Sequence, residues 1–214
     1  MPLTATNRLA PEYPFPTGLN DCFTALKWES LNQSLLHAST KRGFLVGGQS
    51  AGGNFAAAVA HRARIDHFFS DFPLTGQILQ IPILLHPEAC PDKYRNELLS
   101  SDECRDAPLL CRKQLDKFWE EIRAEPSNPE CSPLLFTSCG GLPPTYMQVC
   151  GQDPLRDEAL VYEKILRENG ILTKLDIYPG VGHGFHLIFP FIRVAKKFDQ
   201  DFKNGVRWLL SQSA

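Results

Sequence analysis

The chain has 214 residues, 43% hydrophobic and 21% charged, the balance of a soluble globular domain long enough to bury a sizeable core. Its net charge of −2 gives no basic surface for nucleic acid or an anionic membrane, and no apolar run approaches the ~18 residues of a membrane-spanning helix. Seven cysteines (22, 90, 104, 111, 131, 139 and 150) with no C-x-x-C pair argue against a zinc cluster and against a complete disulfide framework. A single Cys104–Cys111 or Cys90–Cys131 bridge is the minor alternative. The first seven residues have neither a basic n-region nor an apolar h-region, so no secretory signal is expected, and the cytoplasm is the expected compartment.

In chain order, Pro11, Pro14 and Pro16 predict an extended, turn-rich opening. Leu19, Cys22, Phe23, Leu26 and Leu31 recur at helical spacing and predict a helix from about Gly18 to His37, with Asn20 and Asp21 as candidate caps. Gly43 to Gly47 reads as a short buried strand, followed by a tight turn and a helix to about Arg64. Gln77 to Leu85 reads as the next buried strand, interrupted by Pro82. Residues 87 to about 141 differ: they hold several prolines, five of the seven cysteines and much of the charge. Within them Leu115, Phe118, Trp119 and Ile122 mark an amphipathic helix. An insertion of this kind between two strands is expected to form a lid, with an ordinary packed connection as the alternative.

Alternation then resumes. Thr145 to Cys150 predicts a strand, Glu158 to Asn169 a helix with Gly170 at its C-cap, and Leu172 to Tyr178 a strand. Arg193 to Ser211 predicts a final helix with Val194, Phe198, Phe202, Val206 and Leu209 on one side. The pattern implies one α/β domain over 1–214, with a mostly parallel sheet and helices on both faces.

Gly48-Gln49-Ser50-Ala51-Gly52 is a G-x-S-x-G pentapeptide at a predicted strand-to-helix turn. There a serine hydroxyl is presented at the sheet's edge, but it needs a base and a group to orient that base. Two further loops follow predicted strands. His183, between Gly182 and Gly184, is the candidate base; His186 leads into an apolar run and is expected to pack or hydrogen-bond locally. Among the other histidines only His86, just after a strand, merits comparison. Asp153 follows its strand directly and is the candidate orienting acid. Asp157, the other candidate acid, is followed by Glu158 and has the profile of a helix N-cap and a first-turn acid. The order Ser, Asp, His is the one expected for hydrolases of this sheet type.

With those residues in hand, the sequence resembles the α/β-hydrolase superfamily, in the fold-3 branch related to hormone-sensitive lipase. The matching segments are Arg8-Leu9-Ala10-Pro11-Glu12 with Pro14-Phe15-Pro16, Gly48 to Gly53, Asp153-Pro154-Leu155-Arg156-Asp157-Glu158, and His183-Gly184-Phe185. The resemblance implies a carboxylic ester hydrolase acting on a small-molecule ester through an acyl-enzyme. Ser50 would be nucleophile, His183 base then acid, and Asp153 the orienting acid, with neither metal nor organic cofactor. It also implies a non-catalytic alternative, since the branch includes a plant hormone receptor; such receptors usually lose the histidine.

One family element has no counterpart. The H-G-G-G segment whose backbone N–H groups supply most of the oxyanion hole is absent from these 214 residues. Family spacing would place it before Met1, together with the first strands of the sheet, so the fold is expected to lack its amino-terminal strands. The glycine pairs Gly47-Gly48 and Gly140-Gly141 do not replace it. The Ala51 N–H remains as oxyanion donor, and this chain is expected to be weakly active or inactive. A sheet edge left open in this way is expected to favour aggregation.

Overall fold

The computed structural model describes residues 3–212. Four strands form one sheet in the order β1 (Leu45–Gln49), β2 (Gly76–Gln80), β3 (Thr145–Gln152) and β4 (Thr173–Gly182), and every neighbouring pair is parallel. Parallel neighbours need long crossovers. Helix α2 (Ala51–Ile65) joins β1 to β2, and α5 (Arg156–Glu168) joins β3 to β4. The long β2–β3 connection carries α3 (Ser100–Glu103) and α4 (Arg112–Ile122). Helix α1 (Thr17–Leu31) precedes the sheet, and α6 (Phe185–Ile188) and α7 (Arg193–Ser211) follow it.

The two faces of the sheet follow the period-two alternation of its strands. Leu79 and Met147 point into a cluster with Ala56, Ala57 and Ala60 of α2 and with Ala159, Tyr162 and Leu166 of α5. Their neighbours Ile78 and Tyr146 point to the other face, against Phe202, Val206 and Leu209 of α7. Helices thus cover both faces, and each large side chain buried there contributes roughly 1.5–3 kcal/mol. The α7 face also holds a polar ladder. Gln80 donates to Gln148, Gln148 donates to the Tyr178 hydroxyl, and that hydroxyl donates to Asp201 of α7. Among the described residues no strand pairs with the outer edge of β1, and no helix is long and apolar enough to cross a membrane.

Several expectations are corrected. Strand β2 stops at Gln80, not Leu85, because Ile81 takes a positive φ of 41° and Pro82 has no N–H for a ladder. Helix α1 ends at Leu31, not His37: the Asn32 side chain folds back onto the Trp28 carbonyl at 2.7 Å, and turns follow. Pro16, not Asn20 or Asp21, occupies its N-cap. Asn20 instead accepts from Arg62, and Asp21 takes a two-pronged ion pair from Arg8. All seven cysteines are free, so neither candidate bridge forms. Strand β4 runs on through Pro179 and Gly180 to Gly182.

His61 of α2 is buried in the core, 3.0 Å from the Tyr162 hydroxyl and stacked on Phe136, and its Nδ1 has no partner among the described residues. Burial pushes its pKa down from 6.5 to about 3, with Arg64 adding to the effect. The folded protein therefore stays unprotonated at His61 where the unfolded chain takes up a proton. Its contribution is complete above about pH 6.5 and is lost as pH falls toward about 3, at up to about 1.4 kcal/mol per pH unit. Burial lowers His86 and His186 as well, in the same direction. The melting temperature is expected to fall between about pH 7 and pH 5, and to fall less steeply in His61→Gln. An equal slope in the variant would mean that folded His61 carries a proton.

Candidate active site

At the end of β1 the chain turns sharply. Ser50 has φ 55° and ψ −117°, a region non-glycine residues rarely occupy, and α2 begins at Ala51. Such a conformation costs on the order of 1–3 kcal/mol and persists only where its surroundings fix it. Here they do. The Ser50 N–H donates to the Gln80 carbonyl at 2.9 Å, and its own carbonyl accepts from Asn54 and Ile83. The buried Asn54 amide donates to the Ile83 and Cys131 carbonyls at 3.0 and 2.8 Å, tying α2 to both flanking segments. Gly48 is needed for a steric reason: a Cβ there would stand 2.1 Å from the Gly52 carbonyl oxygen. Gly52 has no such constraint, since its own Cβ would meet nothing within 4 Å.

The structure brings Ser50, His183 and Asp153 together. His183 Nε2 lies 2.8 Å from Ser50 Oγ, and its Nδ1 lies 2.8 Å from Asp153 Oδ2. Asp153 follows β3, is 1% exposed, and accepts the Leu155 N–H on its other oxygen at 2.9 Å. With the carboxylate on Nδ1, the proton belongs there, and Nε2 is left to accept from the serine hydroxyl. His183 comes directly after the lengthened β4, whose Gly182 pairs with Gln152 beyond a register shift. The ends of β3 and β4 therefore hold acid and base side by side. Ala51 stands at the first position of α2, where its N–H has no preceding turn to bond to and the helix dipole favours negative charge.

The other candidates lie elsewhere. His186 stacks on Phe198 and sits 3.4 Å from the Gln49 amide oxygen. His86 accepts the Glu88 N–H and tilts against Trp119. Asp157 is not the N-cap of α5, which Leu155 occupies, but it is a first-turn acid as expected: it is the second residue of the helix, and its carboxylate accepts from Leu99 and Ser100 of the β2–β3 connection. Glu158 accepts the Leu84 N–H at 2.6 Å, and burial pushes its carboxyl well above the ordinary range. The turn at Gly140-Gly141 packs on Arg64, which donates to the Gly140 carbonyl. No local signal marks Asn54 or Ser100, whose partners are distant in sequence.

A cavity of about 280 Å³ opens beside Ala51 and Gly52. Its walls are mainly apolar, with Leu9 and Phe15 from the opening segment, Phe55 from α2, and Phe118 and Trp119 from α4. The Phe15 N–H donates to the Ile122 carbonyl at 2.9 Å, joining the opening segment to the end of α4. Among the described residues no group of three histidine, cysteine or acidic side chains is arranged to hold a metal ion.

The alpha/beta hydrolase fold family matches residues 4–187. An AB hydrolase superfamily protein of Schizosaccharomyces pombe is 40% identical over 205 residues, covering 95% of this chain and 60% of that protein. The versiconal hemiacetal acetate esterase of Dothistroma septosporum is 34% identical over 207 residues, 96% of this chain and 62% of the other. The crystal structure of vibralactone cyclase is similar at a TM-score of 0.95 and 45% identity, over 97% of this chain and 61% of that one. The chain thus spans about 60% of the length of these relatives.

The elbow geometry separates its two motif glycines. Gly48→Ala is expected to lose several kcal/mol of stability, on the order of 3 or more, because backbone must move to admit the methyl group. Gly52→Ala, inside a helix with open space, is expected to leave stability unchanged or raise it by up to about 1 kcal/mol. Urea unfolding followed by circular dichroism compares the two; equal losses would show that the close approach at Gly48 does not decide the turn.

Proposed function

Since the chain belongs to the alpha/beta hydrolase fold family, in its fold-3 branch of hormone-sensitive-lipase-like esterases, we propose that it is a serine hydrolase of carboxylic esters. The observation that carries this reading is the relay of two 2.8 Å contacts from Ser50 through His183 to the buried Asp153. Ser50 Oγ attacks the ester carbonyl carbon as His183 Nε2 takes its proton, and Asp153 stabilises the resulting imidazolium. The Ala51 N–H donates to the oxyanion. Collapse of the tetrahedral species breaks the ester bond, and the alcohol leaves with the proton held by His183. Water, activated by the same imidazole, then releases the acid and restores Ser50.

The apolar cavity beside Ala51 suits one uncharged arm of a small or medium ester, and the naming of one relative as an acetate esterase supports a short acyl group. The segment from about 87 to 141 acts as the lid, with α4 supplying Phe118 and Trp119 as the cavity's wall. Ala51 is the one backbone oxyanion donor this reading assigns among the described residues. One such donor is worth ~10²–10³ in rate, so turnover supported by Ala51 alone is slow. A non-catalytic binding role on the same fold is the second reading; the serine–histidine contact favours the enzyme.

p-Nitrophenyl esters of increasing acyl length test the assignment. Hydrolysis is expected to be slow, to favour short and medium chains, and to fall by about 10³-fold or more in Ser50→Ala. Turnover unaffected by Ser50→Ala would remove the nucleophile from the mechanism, and fast turnover would show that the oxyanion donors are more complete than one N–H.

A further inference from the structure

The loop that carries Asp153 is gripped by the β2–β3 connection through one buried serine. Ser100, 2% exposed, donates its hydroxyl to the Pro154 carbonyl at 2.9 Å and accepts the Asp157 N–H at 3.0 Å. In return, the Asp157 carboxylate accepts the backbone N–H groups of Ser100 at 2.7 Å and Leu99 at 2.9 Å. Arg156 adds a third tie. Its guanidinium donates to Asp157 and to Glu103, at the far end of α3, and reaches back to the Gly151 carbonyl at 3.2 Å. The chain is therefore held on both sides of Asp153, at the Pro154 carbonyl by Ser100 and at the Gly151 carbonyl by Arg156.

We propose that Ser100 and Asp157 are positioning residues for the triad: their reciprocal clasp fixes the loop 153–155 between β3 and α5 so that Asp153 Oδ2 stays aimed at His183 Nδ1. The proposal rests on the serine-hydrolase reading above. One Asp153 oxygen is already committed to the Leu155 N–H, so the direction of the other depends on the backbone at 153–155. That backbone is what the Ser100 hydroxyl holds at Pro154. A buried hydrogen bond here is preferable to a longer loop or a hydrophobic contact because it fixes a direction as well as a distance. It also makes the β2–β3 connection more than a cover for the cavity: the connection sets the geometry of the base's partner.

The consequence can be read without ester turnover, from the rate at which a fluorophosphonate labels Ser50 as a function of pH. The acid limb of that profile reports the ionisation of His183 in the working triad. The ionisable groups that face His183 are Asp153 and His186 of α6, and those that face Asp153 in turn are Glu158 of α5, Cys104 after α3 and Cys150 of β3, with Asp157, Arg156 and Glu103 beside Cys104. Ser100→Ala alters none of their charges, so a displaced limb reports geometry. A misaimed Asp153 stabilises the imidazolium less. Ser100→Ala is therefore expected to lower the plateau rate about tenfold and to move the acid limb down by about half a pH unit or more. A purely structural role would reduce the labelled fraction and leave the limb in place; that outcome, or an unchanged plateau and limb, overturns the proposal. Ser100→Cys, whose thiol is a weaker and longer hydrogen-bond donor and is neutral on the acid limb, is expected to move the limb in the same direction by less. If Ser100→Ala does not fold, an unmoved limb in Ser100→Cys overturns the proposal. Labelling of Ser50→Ala as fast as the parent would instead refute the triad itself.

Discussion

At residue 48 a single methyl group would stand 2.1 Å from the carbonyl oxygen of Gly52, closer than any non-bonded carbon and oxygen can approach. That backbone-on-backbone contact is the constraint on which the carboxyl end of the sheet depends. It lets α2 begin within one residue of the end of β1, and it throws Ser50 into the conformation that lifts its hydroxyl clear of both elements. The segment following β2 accommodates this. Ile81 donates a last N–H to Gln148 of β3 and turns away with a positive φ, and the Ile83 N–H then donates to the Ser50 carbonyl of the elbow itself.

Three acidic side chains within six residues then do three different things. Asp153 faces His183, Asp157 grips the β2–β3 connection, and Glu158 receives the Leu84 N–H from the chain leaving β2. Each carboxylate is directed at a different neighbouring segment, so the short stretch between β3 and α5 joins the strand ends to the connection above them. Buried carboxylates are tolerated only where donors meet them, and these donors are mostly backbone N–H groups that loops would otherwise leave unpaired. The same groups that place the site thus satisfy the irregular chain around it.

The helices with strong one-sided patterns were legible from sequence: α7 spans the residues its apolar positions delimit, α4 contains the four positions that mark it, and α5 starts two residues and ends one residue before expectation. Strand ends were less so. The apolar run after Gln80 looks like continued strand because composition records burial, whereas the chain there is buried without being paired. β4 errs the other way. Pro179 and Gly180 look like a loop, yet β4 lies at the edge of the sheet, where a missing N–H and a positive φ are accepted. That Ser50, Asp153 and His183 meet could be expected because each follows a strand and bears characteristic neighbours. Ser100 could not, because its partner Asp157 lies 57 residues away and nothing local distinguishes it from any other serine.

The backbone at Ser50 has a further implication. A glycine at that position would occupy the same φ and ψ without penalty, since it has no Cβ to crowd its own carbonyl. For folding alone, serine is therefore the wrong residue at the sharpest point of the chain, and the protein carries a standing strain to keep it. A scaffold retained only to bind would gain from relaxing that turn. The hydroxyl is the one thing glycine cannot provide, so the strain measures, in units of stability forgone, how much this turn is organised around an oxygen atom.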